Sequence, residues 1–145
     1  MSIGRICSRV VATATPDETI RTAARRMVRN DVGTLVVVEG RGDNHPVGVV
    51  TDRDIAVRCV GGELDPDLTP ISALMSSPVR TAEEHTPIEE AMASMARAGI
   101  RRLVVTGPEG RLAGLLSLDD MLELLVGEVA SIGALLEKQH PRVPA

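Results

Sequence analysis

Apolar residues in this chain follow two spacings, one typical of helices and one typical of strands. Within 20–29 and 88–98 they recur at i, i+3, i+4, i+7 and i+8, which predicts two amphipathic helices. Short runs rich in valine and leucine predict strands, and Gly-rich turns join them into hairpins. The predicted strands are 35–38, 47–50, 103–106 and 113–116, with turns at 39–46 and 107–110.

Helix starts are predicted from capping residues. Thr86, followed by Pro87, is predicted to cap the helix of the second half, because proline suits the first helical position. For the helix of the first half the sequence leaves two candidates for the cap, Thr15 and Asp17.

The whole pattern occurs twice. Segment 3–11 reappears 68 positions later as 71–79, and segment 48–54 reappears 66 positions later as 114–120. The difference of two residues falls in the turn 39–46, where a surface hairpin tolerates a change of length. The chain is therefore predicted to be a tandem repeat.

One repeat alone exposes too much apolar surface to be stable, so we expect the two copies to share a core about a pseudo-twofold axis. The predicted fold class is α+β, with two β-α-β-β-α repeats packed as one module. The predicted divisions are 1–60 for the first repeat, 61–70 for the linker, 71–126 for the second repeat, and 127–145 for a C-terminal helix extension and a frayed tail.

Composition limits the ligands, partners and metal sites that the chain can have. The chain has no Phe, Tyr or Trp, so a planar ligand has to be held between aliphatic groups. A net charge of −4 disfavours nucleic acid, and no apolar run is long enough to span a membrane, so we expect a cytoplasmic protein. Cys7 and Cys59 lack the spacing of a metal site and are predicted to be buried; we expect no metal, no required cofactor and no catalytic residues.

Three segments resemble a known family. They are Gly48-Val-Val-Thr-Asp-Arg-Asp54, Gly99-Ile-Arg-Arg-Leu-Val-Val105 and Gly114-Leu-Leu-Ser-Leu-Asp-Asp120, and they resemble a tandem pair of cystathionine-β-synthase (CBS) domains, also called a Bateman module. The resemblance covers 3–126. It implies adenine nucleotides or related adenosyl ligands in clefts between the repeats, and pairing of two chains into a disc-shaped dimer.

The motifs Thr51-x-x-Asp54 and Ser117-x-x-Asp120 admit two interpretations. Each follows a strand and precedes a helix, so each fits a helix cap. The same position suits phosphate binding at a helix N-terminus, and a carboxylate can accept hydrogen bonds from a ribose diol. The resemblance favours the ligand role, with the Asp on the ribose and the hydroxyl near sugar and phosphate.

The repeats differ before their central strands. Arg101 and Arg102 in the second repeat are candidates for a phosphate clamp or for solvated charges at a helix end, whereas the first repeat has Gly33 and Thr34. The resemblance implies one cleft that joins Thr51, Arg53 and Asp54 to the two arginines, and another that joins Ser117 and Asp120 to Gly33 and Thr34; adenine is expected near Ala12.

Together these observations predict a regulatory module that binds AMP, ADP or ATP, with NAD or S-adenosylmethionine as further candidates, and passes a small conformational change to an effector protein. The alternative is a homodimeric scaffold that needs no ligand. An enzyme is disfavoured for want of a nucleophile and base. An apolar row near the C-terminal end fits either a long helix that covers its own domain or a homodimer contact, and its length favours the contact. The row consists of Leu122, Leu125, Val129, Ile132 and Leu136.

Overall fold

The structure is a computed structural model that describes residues 1–40 and 42–139. The C-terminal tail predicted to fray lies outside the described residues from position 140 onward. The first repeat contains β1 Thr13–Ala14, α1 Ile20–Asn30, β2 Thr34–Val38, β3 Pro46–Thr51 and α2 Asp52–Asp54, which continues as a π-helix over Ile55–Val60. The second contains β4 Thr81–Glu83, α3 Ile88–Ala98, β5 Arg102–Thr106, β6 Leu112–Ser117 and α4 Leu118–Gln139.

Each repeat forms a three-stranded sheet with the same topology. In the first sheet β1 pairs parallel to β2, and β2 pairs antiparallel to β3. In the second sheet β4, β5 and β6 pair in the same way. The predicted α+β class and the β-α-β-β-α order of both repeats are confirmed. None of the helices described between positions 1 and 139 combines the length and the apolar composition needed to cross a bilayer.

The central strand β2 is buried along its whole length because both faces of its sheet are covered. Leu35 and Val37 pack with the helices of their own repeat. Val36 and Val38 point to the other face and pack with Val104 of the second sheet. The alternation of side chains along a strand thus gives the module two helix-covered cores and a smaller apolar cluster between its sheets.

The N-terminal segment of each repeat packs on the other repeat. Ile3 and Cys7 belong to the core of the second repeat, and the Ile3 N–H donates to the Thr86 carbonyl at 2.9 Å. Ile71 and Leu74 belong to the core of the first repeat. Each repeat therefore completes the core of its neighbour.

The predicted helix caps were wrong in both repeats. Thr19 caps α1, and its side chain accepts a hydrogen bond from the Thr22 N–H. Thr15 and Asp17 are instead bonded to each other in the preceding turn, through Oγ1 and Oδ1 at 2.7 Å. At α3 the cap position is occupied by Pro87, without a side-chain cap.

Candidate functional site

The candidate site is a cavity of about 620 Å³ where α2 and α4 begin, a volume in the range of small-molecule pockets. Segments of both repeats form its wall, so a ligand bound here would contact both. The lining residues are Val49, Thr51, Asp52, Arg53, Ser76, Pro78, Val79, Arg80, Gly99, Ile100, Arg101, Arg102, Val104, Ser117, Leu118 and Asp119.

Both Thr/Ser-x-x-Asp motifs form helix caps. Thr51 Oγ1 accepts from the Asp54 N–H at 3.1 Å, while Asp54 Oδ2 accepts from the Thr51 N–H at 2.9 Å and from the Thr51 hydroxyl at 3.0 Å. Ser117 and Asp120 repeat this arrangement at 3.1, 2.7 and 2.7 Å. The capping interpretation is confirmed. These capping bonds use only Oδ2 of each Asp and leave Oδ1 out of the cap.

Four guanidinium groups surround the cavity: those of Arg53, Arg80, Arg101 and Arg102. None of them makes a hydrogen bond or an ion pair within residues 1–40 and 42–139, whose ion pairs involve other arginines and histidines. The lining carries only two carboxylates, Asp52 and Asp119. The cavity is thus cationic in a chain whose net charge is −4.

The apolar part of the wall comes from both sheets. Val49 of β3 and Val104 of β5 belong to the cluster between the sheets, and Val79 packs beside them. Val79 is brought there because Val49 and Ser76 exchange two backbone hydrogen bonds, at 3.2 and 2.8 Å. A planar ring could pack against this aliphatic patch. The chain has no aromatic residue on which such a ring could stack.

Five of the nine predicted binding residues line this one cavity: Thr51, Arg53, Arg101, Arg102 and Ser117. Asp54 and Asp120 stand behind them as capping partners, half-buried. This differs from the expectation of two separate clefts, because Thr51 and Ser117 begin helices that start at the same cavity.

Thr34 and Ala12 lie elsewhere. Thr34 is 7% exposed, and its hydroxyl is sealed from solvent without a hydrogen-bond partner in the part of the chain that the structure describes. Ala12 borders a different depression, beside Glu18 and Arg26, and its carbonyl accepts from the Val36 N–H at 3.0 Å. Neither residue lines the cavity described above, although Thr34 is the register partner of Thr51 across β2 and β3.

The Asp52 carboxylate packs against Gly33. An added Cβ there would lie 2.7 Å from Asp52 Oδ2, and the Asp52 N–H donates to the Gly33 carbonyl at 3.0 Å. In the second repeat Arg101 corresponds to Gly33 and Leu118 corresponds to Asp52. The Leu118 N–H donates to the Arg101 carbonyl at 2.9 Å. The Asp52 carboxylate thus occupies the space beside Gly33 where the second repeat has the Arg101 side chain. This difference favours an anion near Arg101 and disfavours one near Gly33.

Sequence reasoning missed Arg80 and the segment that carries it. The repeat pattern could have indicated Arg80, because the 68-residue offset makes it the equivalent of Ala12, which was predicted to lie near the ligand. Gly48 was a second signal, since a glycine inside a strand often marks the close approach of another backbone. An added Cβ at Gly48 would lie 2.7 Å from Met75 Sδ and 3.1 Å from the Ser76 carbonyl oxygen.

Comparison with known proteins defines the class. The sequence matches the CBS domain family over residues 3–61 and 71–127, and the chain belongs to this family. The CBS domain-containing protein YhcV of Bacillus subtilis is 32% identical over 133 residues, which are 92% of this chain and 91% of that protein.

Two solved structures show the same arrangement of repeats. The first is a protein with CBS domains from Burkholderia ambifaria, described as a signal-transduction protein, with 28% identity and a TM-score of 0.77 over 88% of this chain and 95% of that one. The second, CBS domain protein PAE2072 from Pyrobaculum aerophilum complexed with AMP, has 32% identity and a TM-score of 0.75 over 87% and 99% of the two chains.

Proposed function

We propose that this chain is a regulatory module that binds an adenine nucleotide in the cavity at the starts of α2 and α4. The observation that carries the proposal is the set of four guanidinium groups around one cavity without an acceptor among the described residues. Guanidinium groups match phosphate oxygens in geometry and charge. An anionic ligand would supply the acceptors that the protein does not.

The phosphates are assigned to the side of Arg101 and Arg102. These two residues precede and begin β5, a buried strand whose position is fixed by pairing on both sides. Arg53 and Arg80 approach the same cavity from the other repeat and from the segment that precedes β4. Ligands with several negative charges therefore suit the site better than the cation S-adenosylmethionine, and we expect ADP and ATP to bind more tightly than AMP.

The base and the sugar are assigned by elimination within the cavity. Adenine would lie against the aliphatic patch of Val49, Val79 and Val104, because the chain has no aromatic ring to stack on it. The ribose diol would face Thr51 or Ser117 and the second carboxylate oxygen of the capping Asp. The complex of the Pyrobaculum relative with AMP supports an adenine nucleotide as the ligand class.

A nucleotide bound in this cavity would change how the two repeats are oriented relative to each other. The cavity wall draws on both repeats, so a ligand favours the arrangement in which both sets of contacts can be made. We propose that this shift is read by an effector protein. The two cysteines are free and buried, as is usual for a protein of the cytoplasm, which we propose as its compartment.

A ligand-independent scaffold is the second candidate, and the exposed row on α4 favours it. Leu122, Leu125, Val129 and Ile132 are each about half exposed or more, although leucine and isoleucine are usually buried. A scaffold would use this row for assembly and would not need the arginine-lined cavity. The two functions therefore differ in whether a nucleotide binds.

Isothermal calorimetry with AMP, ADP, ATP, NAD and S-adenosylmethionine, accompanied by thermal unfolding, tests the proposal. A ligand that binds the folded state raises the unfolding temperature according to its concentration and Kd. We expect ADP and ATP to bind and S-adenosylmethionine to bind least. Absence of heat and of any thermal shift with all five would refute the nucleotide function and favour the scaffold.

A further inference from the structure

The cavity at the starts of α2 and α4 offers few partners to a flat base. The chain has no aromatic ring, so the planar side-chain groups of the described lining are guanidinium groups and carboxylates. The face of an aromatic ring is electron-rich, so it repels a carboxylate and attracts a cation. A guanidinium is both flat and positive, and it stacks on such rings. One of the four arginines is therefore the natural partner for a bound base.

Arg80 is the arginine that is joined to the aliphatic patch. It directly follows Val79 in the chain, and its carbonyl accepts a hydrogen bond from the Val104 N–H at 3.3 Å. Val79 and Val104 both belong to that patch. The Arg80 side chain lines the cavity, is exposed, and makes no hydrogen bond or ion pair within residues 1–40 and 42–139. Its guanidinium can therefore turn over a ring that lies on the valines.

The other three arginines are tied to the helix caps instead. Arg53 comes two residues after the cap residue Thr51. Arg102 is the register partner of the cap residue Ser117 across β5 and β6. The carbonyl of Arg101 accepts a hydrogen bond from the first N–H of α4 at 2.9 Å. The positions of these three suit the sugar and the phosphates of a nucleotide, which leaves the arginine beside the valines for the base.

The first repeat has alanine at the position of Arg80. The 68-residue offset makes Ala12 its equivalent, and the Ala12 carbonyl accepts the equivalent hydrogen bond, from the Val36 N–H at 3.0 Å. The backbone bond is thus the same in both repeats, and the side chain differs. A methyl group cannot cover the face of a ring, so the two repeats differ in what they offer to a base.

We propose that Arg80 determines which base the site accepts: its guanidinium stacks on one face of a purine ring whose other face lies on the aliphatic patch. This role of Arg80 rests on the proposed nucleotide function and adds a specificity to it. A purine has two fused rings and a pyrimidine has one. A purine therefore gains more from a stacked guanidinium and buries more surface on the valines. The site is selective for purine nucleotides, and Arg80 supplies much of that selectivity.

ATP and UTP test this role, because they share the ribose and the triphosphate and differ in the base. Calorimetric titration gives the Kd of both nucleotides for the unaltered protein and for Arg80→Ala. We expect the unaltered protein to prefer ATP. In Arg80→Ala the Kd of ATP should rise about tenfold and that of UTP at most about threefold, so the preference shrinks. Thermal unfolding checks that the variant folds, as the exposure of the Arg80 side chain leads us to expect.

Two further variants separate stacking on the base from charge near the phosphates. Arg80→Lys keeps the positive charge and loses the planar group, so its ratio of the UTP Kd to the ATP Kd should match that of Arg80→Ala. Arg101→Ala/Arg102→Ala should weaken both nucleotides by the same factor, because the phosphates are common to both.

This role of Arg80 is overturned if Arg80→Ala weakens ATP and UTP equally or leaves both unchanged. It is also overturned if Arg80→Lys restores the full preference for ATP, or if the unaltered protein binds the two nucleotides alike. Each of these results leaves the nucleotide function standing. An unaltered protein that binds neither nucleotide instead refutes the proposed function, and the role of Arg80 with it.

Discussion

Ser8 and Leu115 exchange two backbone hydrogen bonds, at 2.9 and 3.0 Å, although Ser8 belongs to the first repeat and Leu115 to the second. Ser76 and Val49 make the equivalent pair in the opposite sense. These two bridges join the repeats at the backbone level, and one of them brings Val79 and Arg80 to the candidate site. The bridges need room, which glycines in β3 and β6 provide.

We predict that Gly114→Ala destabilises the protein. An added Cβ at Gly114 would lie 2.7 Å from Cys7 Sγ and 2.8 Å from the Ser8 carbonyl oxygen, and the latter is backbone in the bridge itself. Overpacking of this kind costs about 1–3 kcal/mol of unfolding free energy. Urea denaturation monitored by circular dichroism measures the change.

The control for this prediction is Gly127→Ala. Gly127 lies within α4, and nothing lies within 4 Å of an added Cβ there. Replacing a helical glycine with alanine stabilises by about 0.5–1 kcal/mol. Equal effects of the two substitutions would contradict the contact at Ser8.

Thr34→Val is predicted to stabilise the protein. The Thr34 hydroxyl is buried without a partner in the described residues, and valine has nearly the same shape without the polar group. Removing the unsatisfied hydroxyl is expected to raise the unfolding free energy by about 1 kcal/mol. Thr106→Val is the matched control, because the equally buried Thr106 hydroxyl donates to the Ala82 carbonyl at 3.4 Å, a bond that valine would lose. A larger gain at Thr106 would refute the assignment.

We predict that Arg101→Ala/Arg102→Ala weakens ATP binding about 10- to 100-fold, because charge-assisted hydrogen bonds to phosphate are lost. Calorimetric titration measures the affinity. Arg97→Ala removes a neighbouring exposed arginine that does not line the cavity, and should leave the affinity within a factor of about two. An unchanged affinity in the double variant would rule out the phosphate clamp.

His45 is predicted to make the junction of the two hairpins sensitive to pH. Its Nε2 lies 2.6 Å from the Glu109 carbonyl oxygen and its Nδ1 lies 2.8 Å from Asp43 Oδ1. Both neighbours are acceptors, so both nitrogens donate only in the imidazolium form. The hydrogen bond to Glu109, and then that to Asp43, raise the pKa of His45, and they outweigh the opposing effects of desolvation and of the Arg111 charge.

A raised pKa in the folded state stabilises the fold at low pH. The contribution of His45 is fully present below its unfolded pKa of about 6.5 and is lost as the pH rises through the higher folded pKa. We expect the unfolding free energy of the protein to fall over this interval relative to that of His45→Gln. Asp43→Asn should reduce the dependence of the unfolding free energy on pH. An identical pH profile of His45→Gln and the unaltered protein would contradict a stabilising role of protonated His45.

Much of the candidate site could be predicted from local patterns. Thr51 and Ser117 follow strands and open apolar helices, and the structure places both at one cavity with Arg101 and Arg102. That these residues bind a nucleotide stays a prediction. Ala12 and Thr34 were assigned from the resemblance to the CBS family, and neither lines this cavity; which segments meet at a cleft depends on packing between the repeats, which local spacing does not specify.

The repeat, the α+β class and the order of elements follow from the amino-acid pattern alone, because hydrophobic spacing along a helix or strand depends on residues only a few positions apart. Which segment covers which sheet follows from the packing of the folded chain. The exchange that puts Ile3 in one core and Ile71 in the other, and Arg80 at the same cavity as Arg101, joins residues far apart in the chain. Such contacts depend on how two whole repeats pack, and no local periodicity encodes that packing.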